Sequence, residues 1–266
     1  MITKHLIGYK SLIFYGLLIS SCDPLVNEFN DIEEAIMYRA NNITEFSAKD
    51  TIKVMTWNIR FGVARLRFFG DGCGDRVILK KNEVYEALED LVEKIKVEDP
   101  DILLLQEVDV QSKKTGYIDQ AQWLVDHTDF NYGAYASMWE SQIILADGLG
   151  RVNTGNLILS KWELDNAERY QLPLRGDQDA LTKYFYLRRN VLKATVNMPG
   201  KPFYAVNTHA TAFATDETKQ KHLDKFKSIL DGIVAEGKFF VAGGDLNEIP
   251  PNASKMDYCL DDQCEG

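Results

Sequence analysis

The chain has 266 residues, enough to bury a substantial core in one large domain or two small ones. With 45% hydrophobic and 26% charged residues it is neither collagenous, coiled nor low-complexity, and it carries no solenoid-type repeat. The formal net charge of −10, with no basic run to track a phosphate backbone, weighs against a nucleic-acid partner. A carboxylate-rich site can still attract phosphate once it holds a cation.

Lys4 and Lys10 precede an apolar run over 11–20 (SLIFYGLLIS), too short to span a bilayer comfortably. The run ends in Ile19-Ser20-Ser21-Cys22, small residues before a cysteine, and this resembles a bacterial lipoprotein signal. Residues 1–22 are therefore expected to be a signal peptide ending at the lipidation residue Cys22, placing the protein at the bacterial cell envelope. An ordinary signal peptide or a short membrane anchor is the competing reading, and export follows from either signal-peptide reading. Removing residues 1–21 takes away two lysines and no acid, so the mature chain is at −10 − 2 = −12. Cys73, Cys259 and Cys264 then form an odd set, and no Cys/His spacing suggests zinc.

Residues 23–50 read as a polar tether with a short helix over 31–38. Residues 51–57 alternate as a strand that delivers Asn58, and 61–76 is a glycine-rich loop. Val84, Leu88, Leu91, Val92 and Ile95 have helical spacing within 77–97, and Asp99-Pro100 stops that helix. Residues 101–108 form an apolar strand reaching Glu107. A helix over 119–127 and strands over 131–138, 154–160, 188–197 and 203–208 follow, with a turn at Pro199-Gly200. Leu223, Phe226, Ile229, Leu230 and Ile233 give a helix over 215–234 one apolar face, and Phe239 to Ala242 read as a buried strand. Strands outnumber helices, and the two clearest helices each precede a buried strand. The pattern predicts an α/β sandwich with helices on the outer faces of its sheets.

Polar groups gather where these strands end. Asn58, Glu107 and His209 each close an apolar strand, and Gly243-Gly244 turn the backbone before Asp245 and Asn247. Each has a bland reading: a loop cap for Asn58, a solvated strand end for Glu107, a hydrogen-bonded core histidine for His209, a turn for Asp245 and Asn247. Together they predict one rim, because such strand ends converge. Glu107 is the natural ligand of a hard cation, with Asn58 beside it. Asp245 is placed to orient or deprotonate a water, and Asn247 and His209 to donate to phosphoryl oxygens. The chemistry that follows is metal-assisted phosphoester hydrolysis.

The stretches Thr56-Trp57-Asn58-Ile59-Arg60, Leu105-Gln106-Glu107-Val108, Asn207-Thr208-His209 and Gly244-Asp245-Leu246-Asn247 resemble, in order, the motifs of the endonuclease/exonuclease/phosphatase superfamily, the pancreatic deoxyribonuclease-like group. Residues 155–161 resemble its internal strand motif. The resemblance covers about 51–252. It implies a four-layer α-β-β-α sandwich over 51–266 with two mainly antiparallel or mixed sheets, and dependence on Mg2+, with Mn2+ as the alternative ion. It also implies Glu107 as metal ligand, Asn58 as a metal or phosphate neighbour, Asp245 and Asn247 on the nucleophilic water and phosphate, and His209 on the phosphate. Arg189 falls where relatives often carry a phosphate-facing arginine, a plain surface arginine being the other reading. Members also carry a closing strand and Asp-His pair after GDxN. Residues 257–266 contain no histidine, which implies a truncated sequence with its last strands missing or an inactive protein. The expected function is an envelope-anchored Mg2+-dependent phosphodiesterase or phosphatase acting on a small phosphoester or lipid headgroup, with no protein partner. A nonspecific endonuclease and an inactive binding lipoprotein are the rivals.

Overall fold

The computed structural model describes residues 25–63, 66–68, 74, 76–250 and 252–253. Cys22, Cys73, Cys259, Cys264 and residues 257–266 lie outside them. Among the described residues, ten strands form two five-stranded sheets. The first carries β2 (Ile36–Arg39), β5 (Tyr132–Ile144), β6 (Gly150–Ser160), β4 (Ile102–Asp109) and β3 (Val54–Asn58), in that spatial order. The second carries β1 (Ile32–Glu34), β7 (Leu164–Gln171), β8 (Asn190–Val196), β9 (Phe203–His209) and β10 (Phe240–Asp245). Both sheets are mixed: β3–β4 and β9–β10 run parallel and the other neighbours antiparallel.

Strand β4 shows how the layers arise. Its side chains alternate between two apolar environments. Leu103 and Leu105 face outward and pack with Leu88, Leu91 and Ile95 of α1 (Lys81–Glu98) and Leu124 of α2 (Gln120–His127). Ile102 and Leu104 face inward against Leu192, Ala194 and Ala205 of the second sheet. On that sheet's outer face, Val191 and Val206 pack with Phe226, Ile229, Leu230 and Ile233 of α4 (Thr218–Ala235). The result is the four-layer α-β-β-α sandwich, with each parallel pair joined through a crossover helix.

Local chemistry sets the helix ends. Asp119 caps α2 by accepting from the Gln122 N–H at 3.0 Å, and the left-handed Asp99 (φ 43) before Pro100 closes α1. Asp179 caps α3 (Ala180–Phe185), a short helix that the apolar pattern does not predict.

Within the segment expected as a tether, the stretch expected as a helix over 31–38 is instead strand. Ile32–Glu34 pairs with β7 and Ile36–Arg39 with β5, so this stretch supplies an outer strand to each sheet. Ile32, Ile36 and Met37 stay exposed on these outer strands, so backbone pairing rather than apolar burial sets their conformation and outweighs a weak local helix preference. No helix among the described residues is long and apolar enough to cross a membrane.

Candidate active site

In one sheet Asn58 ends β3 and Glu107 follows its last partner, Gln106, on the parallel neighbour β4; in the other, His209 and Asp245 end the parallel neighbours β9 and β10. The two pairs meet across the sandwich. Asn58 Nδ2 donates to Asp245 Oδ2 at 2.9 Å, and His209 Nε2 lies 3.5 Å from the same oxygen and 4.0 Å from Glu107 Oε1. Two glycines allow this approach. A Cβ on Gly244 (φ 147) would stand 2.1 Å from Thr208 O, and one on Gly243 would press on Leu104 and Thr56. Behind the rim, Gln106 Nε2 donates to Asn207 Oδ1 at 2.7 Å, and Asn207 Nδ2 donates to the carbonyls of Leu105 and Leu157. This buried polar bridge fixes the register between the sheets directly beneath the site.

Glu107 departs from strand geometry. It has φ 59, and the pairing of β4 with β6 shifts between Leu105 and Val108. A left-handed glutamate at a bulge is strained and re-aims its carboxylate into the rim. Burial pushes that carboxyl above its usual value; the Asn58 amide, Arg189 and Lys114 act against the rise and Asp245 adds to it. His209 Nε2 approaches Glu107 Oε1 to 4.0 Å.

Asp245 Oδ1 accepts from the Asn247 N–H at 2.9 Å, and Asn247, at φ 48, donates from Nδ2 to Ala210 O at 3.0 Å. Asn247 therefore first shapes the turn that holds Asp245, with one amide hydrogen left over. His209 is buried, and desolvation together with Arg189 holds its pKa well below the usual histidine value, so its imidazole is neutral at pH 7. Its Nδ1 has no hydrogen-bond partner. Arg189 is buried too, which removes the reading of a plain surface arginine. Its Nη1 donates to His209 O at 3.2 Å while its Nε has no partner. Burial lowers the Arg189 pKa, and the charges of Glu107 and Asp245 oppose that. A cleft of about 680 Å³ opens beside Asn58, Asp245 and Asn247.

The sequence patterns also miss Lys114, a buried cation whose charge acts on Glu107. Lys114 donates to both oxygens of Asp109 at 2.6 and 2.7 Å and lies 4.1 Å from the Phe61 ring centroid. Nothing in a lysine of a polar loop distinguishes it from a solvated one. His222, within helix α4, is a satisfied structural histidine: Nδ1 accepts from the Thr211 N–H and Nε2 donates to Pro173 O.

The donor set suits a hard cation. No group of three His, Cys, Asp or Glu side chains is pre-assembled for a metal among the described residues. An ion that retains several waters needs fewer protein ligands, and Glu107 presents a desolvated carboxylate beside the Asn58 amide.

The fold is a sandwich of two mixed sheets with carboxylates, amides and a buried arginine gathered at one rim. Residues 55–259 match the Endonuclease/Exonuclease/phosphatase family, and the chain belongs to that family, whose members are hydrolases of phosphoester bonds. Three solved structures are similar to it. An endonuclease/exonuclease/phosphatase from Beutenbergia cavernae shares 20% identity at TM-score 0.52, over 76% of this chain and 50% of its own. ANGEL2, described as a 2',3'-cyclic phosphatase, shares 16% at TM-score 0.50, over 82% and 57%. The human Nocturnin catalytic domain with bound sulfate shares 19% at TM-score 0.46, over 83% and 68%. At these identities the likeness is one of fold, and this chain spans about half the length of the Beutenbergia protein. No curated protein matches the chain.

Proposed function

We propose that the protein hydrolyses phosphoesters with a divalent cation, Mg2+ first and Mn2+ as the alternative, held by Glu107 and Asn58. The observation that carries this reading is the meeting of Asn58, Glu107, His209 and Asp245 at one rim, with the guanidinium of Arg189 behind it. When bound, the cation polarises a phosphoryl oxygen and stabilises charge on the leaving oxygen.

Asp245, fixed by Asn58 and by the Asn247 N–H, orients a water and takes its proton as the water oxygen bonds to phosphorus. The ester P–O bond opposite breaks as the new bond forms, and the leaving oxygen departs with the bonding pair and takes a proton from solvent, Asp245 returning its own to solvent. The spare Asn247 amide hydrogen and neutral His209 contact phosphoryl oxygens, and Arg189 contributes positive potential in a desolvated setting. A net charge of −10 favours small phosphoesters or lipid headgroups over nucleic acid. We also propose that Cys22 carries a lipid that anchors the chain at the bacterial envelope, given the apolar run and small residues before it.

A substrate panel of small phosphomonoesters, phosphodiesters, phospholipid headgroups and duplex DNA, run with Mg2+ and with EDTA, tests the proposal. Metal-dependent turnover of the small esters or headgroups supports it. Turnover of DNA alone makes the protein a nuclease, and binding without any turnover makes it a binding lipoprotein.

A further inference from the structure

We propose that the rim end of the sandwich faces the bilayer, with the tip of the β5–β6 hairpin seated in the lipid interface, so that phosphoesters reach the site from the membrane surface. This rests on the lipid-anchor reading of Cys22. Its own evidence is the path of the chain that leads away from that residue.

Val26 pairs antiparallel with Ser141. Asn27 N–H donates to Glu140 O, and Gln142 N–H donates to Leu25 O, each at 2.9 Å. Ser141 Oγ also donates to Leu25 O at 2.6 Å. Traced backward from Asn27 to Leu25, the chain therefore moves along β5 toward the hairpin tip. That direction is also the site end. Glu107 lies between the pairs Leu105–Leu157 and Val108–Gly155, while Ser141 sits opposite Val152, further along β6 toward its start. Cys22 stands three residues before Leu25, a reach of about 10 Å at most. Leu25, on the rim side of the molecule, therefore bounds how far from the tip a lipid on Cys22 can sit.

The tip projects apolar side chains beside the polar Gln142 and Arg151. Leu145 is 79% exposed, and Ile143 and Leu25 are exposed beside it. An acyl anchor with a neighbouring apolar patch gives two membrane contacts, and two contacts define an orientation where one leaves the domain free to turn. At the opposite end, Val97 is also 79% exposed but stands on the last turn of α1, before β4 begins, far from the anchor.

The test uses the full chain, purified with its lipid and reconstituted into vesicles of phosphatidylethanolamine and phosphatidylglycerol with brominated acyl chains. L145W and V97W each add one exposed tryptophan at a site where substitution is tolerated. The emission added by L145W is expected to be lost in brominated vesicles, and that added by V97W to be retained. Quenching of V97W, or of neither, on a chain whose N-terminal peptide mass shows lipid at Cys22 overturns the orientation and leaves the anchor standing. An unmodified Cys22 on a chain absent from the membrane fraction overturns both.

Discussion

The Asn58 amide donates to the Asp245 carboxylate at 2.9 Å, joining strands β3 and β10 from different sheets. One hydrogen bond thus couples a cation-side residue to the residue that handles the water. In Asn58→Ala, Asp245 keeps the Asn247 N–H but loses its tie to the first sheet. Turnover is expected to fall by on the order of 10²-fold with Tm little changed, read from initial rates and a thermal melt. Unchanged turnover would separate the two residues functionally.

Glu107 is held in a desolvated place that raises its pKa. A folded-state pKa above the unfolded value contributes stability at low pH that is lost as pH rises through the folded value, so the ionised carboxylate opposes folding at pH 7. In EDTA, Glu107→Gln is therefore expected to raise Tm while abolishing the further rise that Mg2+ gives the native chain. A lower Tm in EDTA would show that the carboxylate is stabilising without an ion.

Lys114 and Asp109 are both buried, and Asp109 also accepts from Thr115 and Thr154. Removing one charge leaves the other without its partner in a dry site, at about 3–5 kcal/mol. Lys114→Ala should lower Tm by roughly 10 °C, and Asp109→Asn with Lys114→Met should restore part of it. A melt of Lys114→Ala that overlays the native one would contradict the pair's role.

His222 is buried, and desolvation lowers its pKa, with the Pro173 carbonyl opposing the shift and Arg189 adding to it. The unfolded histidine titrates near 6.5, so below that pH the unfolded chain binds the extra proton first. Stability is complete above about pH 6.5 and declines as the pH falls toward the folded value, and His209 adds to the same decline. His222→Gln should make Tm fall less steeply between about pH 7 and about pH 5. An identical slope would place the acid sensitivity elsewhere.

The sandwich and the rim are legible in the sequence because both depend on short-range patterns. Apolar strands that end in Asn58, Glu107, His209 and Asp245 can align in only a few ways, and the glycines at 243 and 244 mark the close approach. What the sequence hides depends on partners distant in the chain. Residues 32–39 become strand only because β5 and β7 offer pairing edges. Strands β5 and β6 run beyond the expected 131–138 and 154–160, since a partly exposed hairpin tip carries no apolar alternation. The left-handed Glu107 and the buried Lys114 have no local signature, because strain and burial are set by the packing around them.

The central claim is metal-assisted hydrolysis through Asp245 and Glu107. The most direct measurement is the initial rate of hydrolysis of a small phosphodiester against Mg2+ concentration, for the full chain and for Asp245→Ala. The account predicts a rate that rises and saturates with Mg2+ in the native chain, is abolished by EDTA, and falls by about 10²–10⁴-fold in Asp245→Ala with an unchanged melt. A rate indifferent to Mg2+, or native-like turnover by Asp245→Ala, would contradict it.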